Sequence, residues 1–141
     1  MEQTLIILKP DCVKRGLMGK VISRFEDAGL AVAGMKMVLL EEAVLDEHYA
    51  HLNDKPFFAD LKKFMRSTPV VPMVLRGENA VERVRQMCGP TDSKKAPKGT
   101  IRGDYGTDVQ QNIVHASDSR ETAEKEVARF FRPQEICESY K

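Results

Sequence analysis

The chain has 141 residues, with 22 Lys+Arg against 21 Asp+Glu and a formal net charge of +1. That length suits one domain over residues 1–141 with a single well-buried core, and the charge balance argues against nucleic acid as the main partner. Cys12, Cys88 and Cys137 are odd in number and form no C-x-x-C pair, which argues against a disulfide framework or a zinc site and for reduced thiols in the cytoplasm; no run nears the ~20 apolar residues of a membrane span, and the opening "MEQTLIILKPD" lacks signal-peptide character.

The first predicted element is a buried strand over Thr4–Leu8, a continuous β-branched run, after which "KPD" turns the chain. From Gly16 to Ala28 the apolar residues Leu17, Val21, Phe25 and Ala28 recur at helical spacing, and Gly29 is a natural stop. Residues 30–40 read as a second strand with Met35, Met37 and Leu39 on one face. Residues 43–52 look helical, and a further helix should open at "DKPFF" with Pro56 in its first turn and Leu61, Phe64 and Met65 following. Residues 69–75 read as a third strand, at a sheet edge because Pro72 lacks a ladder donor. Asn79 is placed to cap a helix burying Val81, Val84 and Cys88. No periodicity holds from Gly89 to Gln111, and so long a structureless stretch in a compact domain is commonly functional. "NIVHA" is a fourth strand, and "SDSRETAEKEVARFF" a helix capped by Asp118 or Ser117, with Ala123, Val127, Phe130 and Phe131 inward. With the extra helices set aside the order is βαββαβ, the ferredoxin-like α+β plan of a four-stranded antiparallel sheet, here with a long loop.

The standard phosphate motifs fail. "GLMGK" has two residues between its glycines where a P-loop needs four, and Val21 stands where it needs Ser or Thr. The material for another device is present. Arg85 lies near a helix end, Thr91 and Arg102 lie in the long loop, and Lys9 sits at the end of the first strand. Guanidiniums meet phosphate oxygens in pairs, and a threonine hydroxyl adds a directional donor. The residues alone admit a second reading, in which Arg85 is a solvated helix residue and Arg102 pairs with Asp104.

His48 and His51 are three apart on a predicted helix and read as surface residues. His115 ends a strand. Its ring is roughly three-quarters neutral at pH 7, and a neutral imidazole nitrogen is a competent nucleophile when an acceptor holds the other nitrogen. Glu126, near the buried face of the last helix, is such an acceptor. Local sequence leaves two readings of His115, a catalytic group or a packed strand end. Phe57 and Phe58 cannot both face one core stripe, so one of them is exposed and available to stack on a base, or marks a loose core edge.

"NIVHASDS" resembles the active-site signature of the nucleoside diphosphate kinase family. "LKPD", "RGLMGKVISRFE", "HYAHLNDKPFF", "GTIRGDY" and "AEKEVARFF" follow the same family pattern in order, so the resemblance runs from about residue 3 to residue 134. It implies transfer of the γ-phosphoryl group from a nucleoside triphosphate to a nucleoside diphosphate, by ping-pong through a phosphohistidine with Mg²⁺ and little base specificity. By the same resemblance His115 is the nucleophile, Glu126 orients its ring, and Ser117 assists through its hydroxyl. Lys9 and Asn112 reach the sugar 3′-hydroxyl, Lys9 also the phosphoryl group, and Tyr49 supports Lys9. Arg85, Thr91 and Arg102 bind the β- and γ-phosphates, with Phe57 and Val109 on the two sides of the base. A homo-oligomer of dimers, tetramer or hexamer, is also implied.

The sequence departs from the family at Cys12, where a Gly or Ala is usual, and in the loop "DSKKAPKG" after Thr91, a segment that packs subunits in relatives. The tail after "RPQEI" is short, as in bacterial-type members. A non-catalytic nucleotide-binding module of the same fold is the rival reading. It would need Phe57 and the arginines but not His115.

Overall fold

The computed structural model describes residues 1–138. The elements are β1 (Glu2–Leu8), α1 (Pro10–Lys14), α2 (Met18–Asp27), β2 (Ala31–Met35), α3 (Glu42–His48), α4 (Phe58–Met65), β3 (Val71–Gly77), α5 (Ala80–Cys88), α6 (Ile101–Tyr105), β4 (Val114–Ala116) and α7 (Arg120–Phe130). The four strands form one sheet in the order β2-β3-β1-β4 with antiparallel pairing throughout. This is the ferredoxin-like plan, with α1, α3, α4, α6 and α7 added to it.

Both faces of the sheet are covered, which explains why β1 reads as an unbroken apolar run. Successive strand residues point to opposite faces. Ile6 and Leu8 join one core with Val21 and Phe25 of α2 and Ala80, Val84 and Cys88 of α5. Leu5 and Ile7 join the other with Leu45 of α3, Leu61 and Met65 of α4, and Val127 and Phe130 of α7. Each such side chain contributes about 1.5–3 kcal/mol on full burial. The inward faces expected for α2, α5 and α7 are therefore present, although Ala28 is only half-buried.

Several local expectations are corrected. Pro72 is in β3, an interior strand rather than an edge. Its carbonyl accepts from Lys36 N at 3.2 Å, so its nitrogen faces the side on which β2 has already ended at Met35. The nitrogen faces away from β1, so the β1–β3 ladder loses no donor, and the bond forgone is the one to Lys36. The second strand stops at Met35, and the chain returns to the sheet only at a bridge between Val38 and Val70. Met35, Met37 and Leu39 are each about half exposed. The α4 helix opens at Phe58, leaving Pro56 outside it. Asn79 occupies the N-cap position of α5 in a left-handed conformation and makes no side-chain cap bond. Ser119, not Asp118 or Ser117, caps α7 by accepting from Thr122 N at 3.1 Å. Finally, the segment after Gly89 contains α6, capped by Thr100, whose hydroxyl accepts from Gly103 N at 3.0 Å.

Candidate active site

The end of β1, the end of β4, α6 and the entrance to α4 surround a cavity of about 600 Å³. Lys9, Tyr49, Phe57, Arg85, Thr91, Arg102, Val109, Asn112 and His115 all line it. Glu126 and Ser117 stand behind His115, buried at 5% and 0% exposure. The structure thus brings to one place the residues to which the resemblance gives a role.

His115 is placed by β4, whose register sets Ile7 opposite it on β1. Its Nε2 lies 2.8 Å from Glu126 Oε1, on the buried side of α7. Ser117 Oγ donates to the same oxygen at 2.6 Å. Burial alone would raise the Glu126 carboxyl, but these hydrogen bonds and the neighbouring imidazoles hold it below its ordinary value. An ionised Glu126 can only accept, so Nε2 carries the proton and Nδ1 keeps its lone pair.

The approach to β4 is tightly braced. Ile113 has φ +76°, a conformation that a β-branched residue rarely adopts and that costs on the order of 1–3 kcal/mol. Its N–H donates to Asp11 Oδ2 at 3.0 Å, and its carbonyl accepts from Lys9 N at 2.9 Å. Both clamps come from the start of α1, so the strained residue locks the β1 terminus to β4. Asn112, just before it, donates through Nδ2 to Thr91 O at 2.9 Å and accepts on Oδ1 from Lys9 Nζ at 2.8 Å.

The cations of the cavity are held without carboxylate partners among the described residues. Lys9 Nζ donates to Asn112 Oδ1 and to Gln110 O, and burial pushes its pKa down to about 8. Arg102 donates to the carbonyls of Gly89 at 2.7 Å, Val114 at 2.8 Å and Asn112 at 3.3 Å. Asp104, the alternative partner, pairs instead with Arg24 at 2.6 Å. Arg85 donates to Asp118 O at 2.8 Å. Gly89, at φ +82°, allows α5 to end against α6: a side-chain carbon there would meet Thr100 Oγ1 at 2.7 Å. The result is concentrated positive charge facing the cavity, the arrangement that suits a polyphosphate.

At the mouth, Phe57 is 47% and Val109 56% exposed, so apolar surface from both sides is available to a flat ring. Phe58 is the partner that packs inward. Tyr49 is buried and lines the cavity, but no hydrogen bond joins it to Lys9; Lys9 lies instead 5.7 Å above the Phe64 ring.

Sequence reasoning missed Asp11, Gln110, Asp118 and His48. Asp11 sits in the quoted "LKPD" segment, a signal for it that was available, whereas Gln110 acts through its carbonyl and leaves no side-chain signature. Asp118 is the one carboxylate among the lining residues. His48 is the larger correction. It is not a surface residue but 4% exposed, with its ring edge-on to His115 at 4.6 Å. His48, His115 and Glu126 offer ligand atoms within 4.8 Å of one another. Those atoms already serve each other and Arg129, whose Nη1 lies 3.0 Å from His48 Nδ1, so the cluster is a hydrogen-bonded one.

Comparison with known proteins identifies the family. The family model described as nucleoside diphosphate kinase matches residues 2–136. A nucleoside diphosphate kinase of Parabacteroides distasonis is 54% identical over 136 residues, covering 96% of this chain and 89% of its own. One from Pyrococcus horikoshii is 51% identical over 140 residues, covering 97% and 89%. Among solved structures, the Halobacterium salinarum nucleoside diphosphate kinase in complex with CDP superposes with a TM-score of 0.96 at 43% identity, covering 99% of this chain and 93% of that one. The Aquifex aeolicus enzyme gives 0.91 at 43% identity, covering 96% and 98%. Sequence matched along nearly the whole chain, the same fold, and a cationic cavity with a histidine at its floor agree, and the chain belongs to the nucleoside diphosphate kinase family of nucleotide phosphotransferases.

Proposed function

We propose that this chain transfers the γ-phosphoryl group of a nucleoside triphosphate to a nucleoside diphosphate in two half-reactions, with His115 as the carrier. The observation that carries this reading is the 2.8 Å contact of His115 Nε2 with Glu126, which leaves Nδ1 as the nitrogen with a free lone pair in a cavity lined by Lys9, Arg85 and Arg102.

In the first half-reaction the Nδ1 lone pair attacks the γ-phosphorus. The bond from that phosphorus to the β,γ-bridging oxygen breaks, and the diphosphate leaves with the electron pair. The ring gains positive charge while Nε2–H stays on Glu126, whose carboxylate offsets it. A second diphosphate then attacks through a terminal β-phosphate oxygen, and the N–P electron pair returns to Nδ1. Arg85, Thr91 and Arg102 bind the β- and γ-phosphates. Lys9 meets the transferring group and the sugar 3′-hydroxyl, Asn112 meets the same hydroxyl, Tyr49 supports this corner of the cavity, and Ser117 holds Glu126 in place. Phosphoryl transfer depends chiefly on positioning and distributed positive charge, which this set supplies.

The family is consistent with a divalent cation, and Mg²⁺ is the ion we assign. Mg²⁺ is usually held by one or two carboxylates together with substrate phosphates. Asp118, alone among the lining residues in carrying a carboxylate, fits that pattern, with the phosphates providing most of the site. When bound, the ion would supply positive charge to offset the phosphates, held by them together with Asp118. A stack between Phe57 and Val109 tolerates any base, since each has a π-face. The half-exposed Met35, Met37 and Leu39 beside edge strand β2 support a homo-oligomer built from dimers, tetramer or hexamer. Free cysteines at positions 12, 88 and 137 favour the cytoplasm, and among the described residues no helix is long and apolar enough to cross a membrane.

The test is a chase. Protein is labelled with γ-labelled triphosphate and Mg²⁺, freed of nucleotide, and given an unlabelled diphosphate of another base. Label should leave as the new triphosphate. A protein that binds nucleotide but never takes up label is the non-catalytic module instead.

A further inference from the structure

His48 belongs to none of the roles assigned above, yet it is among the most constrained side chains in the molecule. It closes α3, and its ring contacts three others edge-on: Tyr49 at 4.7 Å, His115 at 4.6 Å and Phe130 at 5.1 Å. Arg129 Nη1 lies 3.0 Å from its Nδ1. A guanidinium only donates, so Nδ1 accepts and any ring proton is on Nε2. Arg129 Nε also lies 3.3 Å from Glu47 Oε1 of α3, an ion pair without hydrogen-bond geometry. His48 Nε2 is buried and has no hydrogen-bond partner among the described residues. Leaving a polar group so placed costs about 1–3 kcal/mol. An apolar ring would fill the same space without that cost, unless the polar edge against Arg129 is what sets the ring's angle.

That angle matters because of its neighbour. An imidazole can rotate about its Cβ–Cγ bond. A half-turn would put Cε1 of His115 where Nε2 now meets Glu126, and would carry Nδ1 away from its present position. Glu126 opposes this with one hydrogen bond at 2.8 Å, and the face of the ring needs a wall as well. His48 is the ring in contact with it.

We propose that His48 is a positioning residue for the phosphoryl carrier: its ring, set between Phe130 and His115 and anchored by Arg129, keeps the His115 imidazole from turning over, so that Nδ1 faces the nucleotide and Nε2 does not. This rests on His115 being the carrier. His48 acts without exchanging a proton. Burial, with the adjacent His115 adding to it, pushes its pKa down to about 3, so it adds no charge beside a ring that becomes cationic in transfer.

The test reads which nitrogen is phosphorylated, which a purely structural contribution would not alter. Wild type and His48→Ala are each treated with nucleoside triphosphate and Mg²⁺, and the phosphohistidine isomers are resolved by ³¹P NMR. Wild type should give the Nδ1 isomer alone. His48→Ala should give a mixture with the Nε2 isomer and a transfer rate lower by about 100-fold, the usual scale for a misplaced reacting group. His48→Phe, which fills the space but cannot accept from Arg129, should also give both isomers, because the anchor is lost. If His48→Ala does not fold, Arg129→Met poses the same question by releasing the anchor, and should also yield both isomers. An unchanged Nδ1-only product in the folded Ala, Phe or Met variant overturns the proposal whatever its rate. Wild type that carries no phosphohistidine overturns the carrier reading itself, so the two failures are distinct.

Discussion

Replacing Glu126 with Gln isolates the electrostatic part of the site. The carboxylate accepts from His115 Nε2 at 2.8 Å and Ser117 Oγ at 2.6 Å on a single oxygen, and it does not line the cavity. A glutamine carbonyl of the same shape can still accept, so the geometry is largely kept while the charge is lost. Hydrogen bonds to charged groups contribute about 1.5–3 kcal/mol against about 1 for neutral pairs. The difference grows as the His115 ring becomes cationic, so it falls on the transition state and not on nucleotide binding. A loss of about 1–2 kcal/mol there corresponds to roughly a 5- to 30-fold slower transfer. The assay is single-turnover phosphorylation by rapid quench, with nucleotide affinity measured separately by calorimetry. We expect a slower rate with unchanged affinity. Wild-type rates in Glu126→Gln, or a loss confined to affinity, would refute the role of this carboxylate.

Phe57→Ala should weaken nucleotide binding by about 1–3 kcal/mol while leaving thermal stability almost unchanged, because the ring is already half exposed; equal affinity for the variant would remove Phe57 from the site. Arg102→Ala should behave differently, since the guanidinium bonds the carbonyls of Gly89, Asn112 and Val114. Asn112 O keeps Val114 N as a partner, but the carbonyls of Gly89 and Val114 lose the guanidinium at about 1–3 kcal/mol each, so denaturant unfolding should show a loss of at least ~2 kcal/mol along with weaker phosphate binding; unaltered stability would contradict the arrangement. Lys9 gives a pH signature. Burial lowers its pKa to about 8, so in the free protein its charge, and with it diphosphate affinity, should fall as pH rises through about 8 instead of near the ordinary lysine value. Lys9→Arg should flatten that profile, and a wild-type affinity constant through this window would argue against a buried ammonium on the phosphate path.

The parts of the fold that were legible in the sequence are those set by periodic burial. Val84 and Cys88 on α5, and Val127 and Phe130 on α7, join the cores as their spacing implies, and Val81 and Ala123 are buried too. What spacing could not carry was orientation. Pro72 looked like an edge residue because composition does not reveal which side of a strand its nitrogen faces. His48 looked solvated because its partners, His115, Phe130 and Arg129, lie far along the chain. The α6 segment has too few residues for a helical period to show, and its anchor, Arg102, is satisfied by backbone carbonyls that no sequence pattern records. The candidate site was more legible than the fold's details, because the family signature joined residues that local reasoning had left open between structure and chemistry. The strained Ile113, which ties Lys9 and Asn112 to the same corner, was visible only in the backbone.

The most direct test of the account is to incubate the protein with nucleoside triphosphate and Mg²⁺ in the absence of any acceptor. One equivalent of diphosphate per subunit should be released in a burst, and the peptide spanning His115 should gain the mass of one phosphoryl group that is stable in base and lost in acid. Diphosphate formation without modification of that peptide, or transfer that proceeds only when both nucleotides are present together, would contradict a covalent carrier at His115.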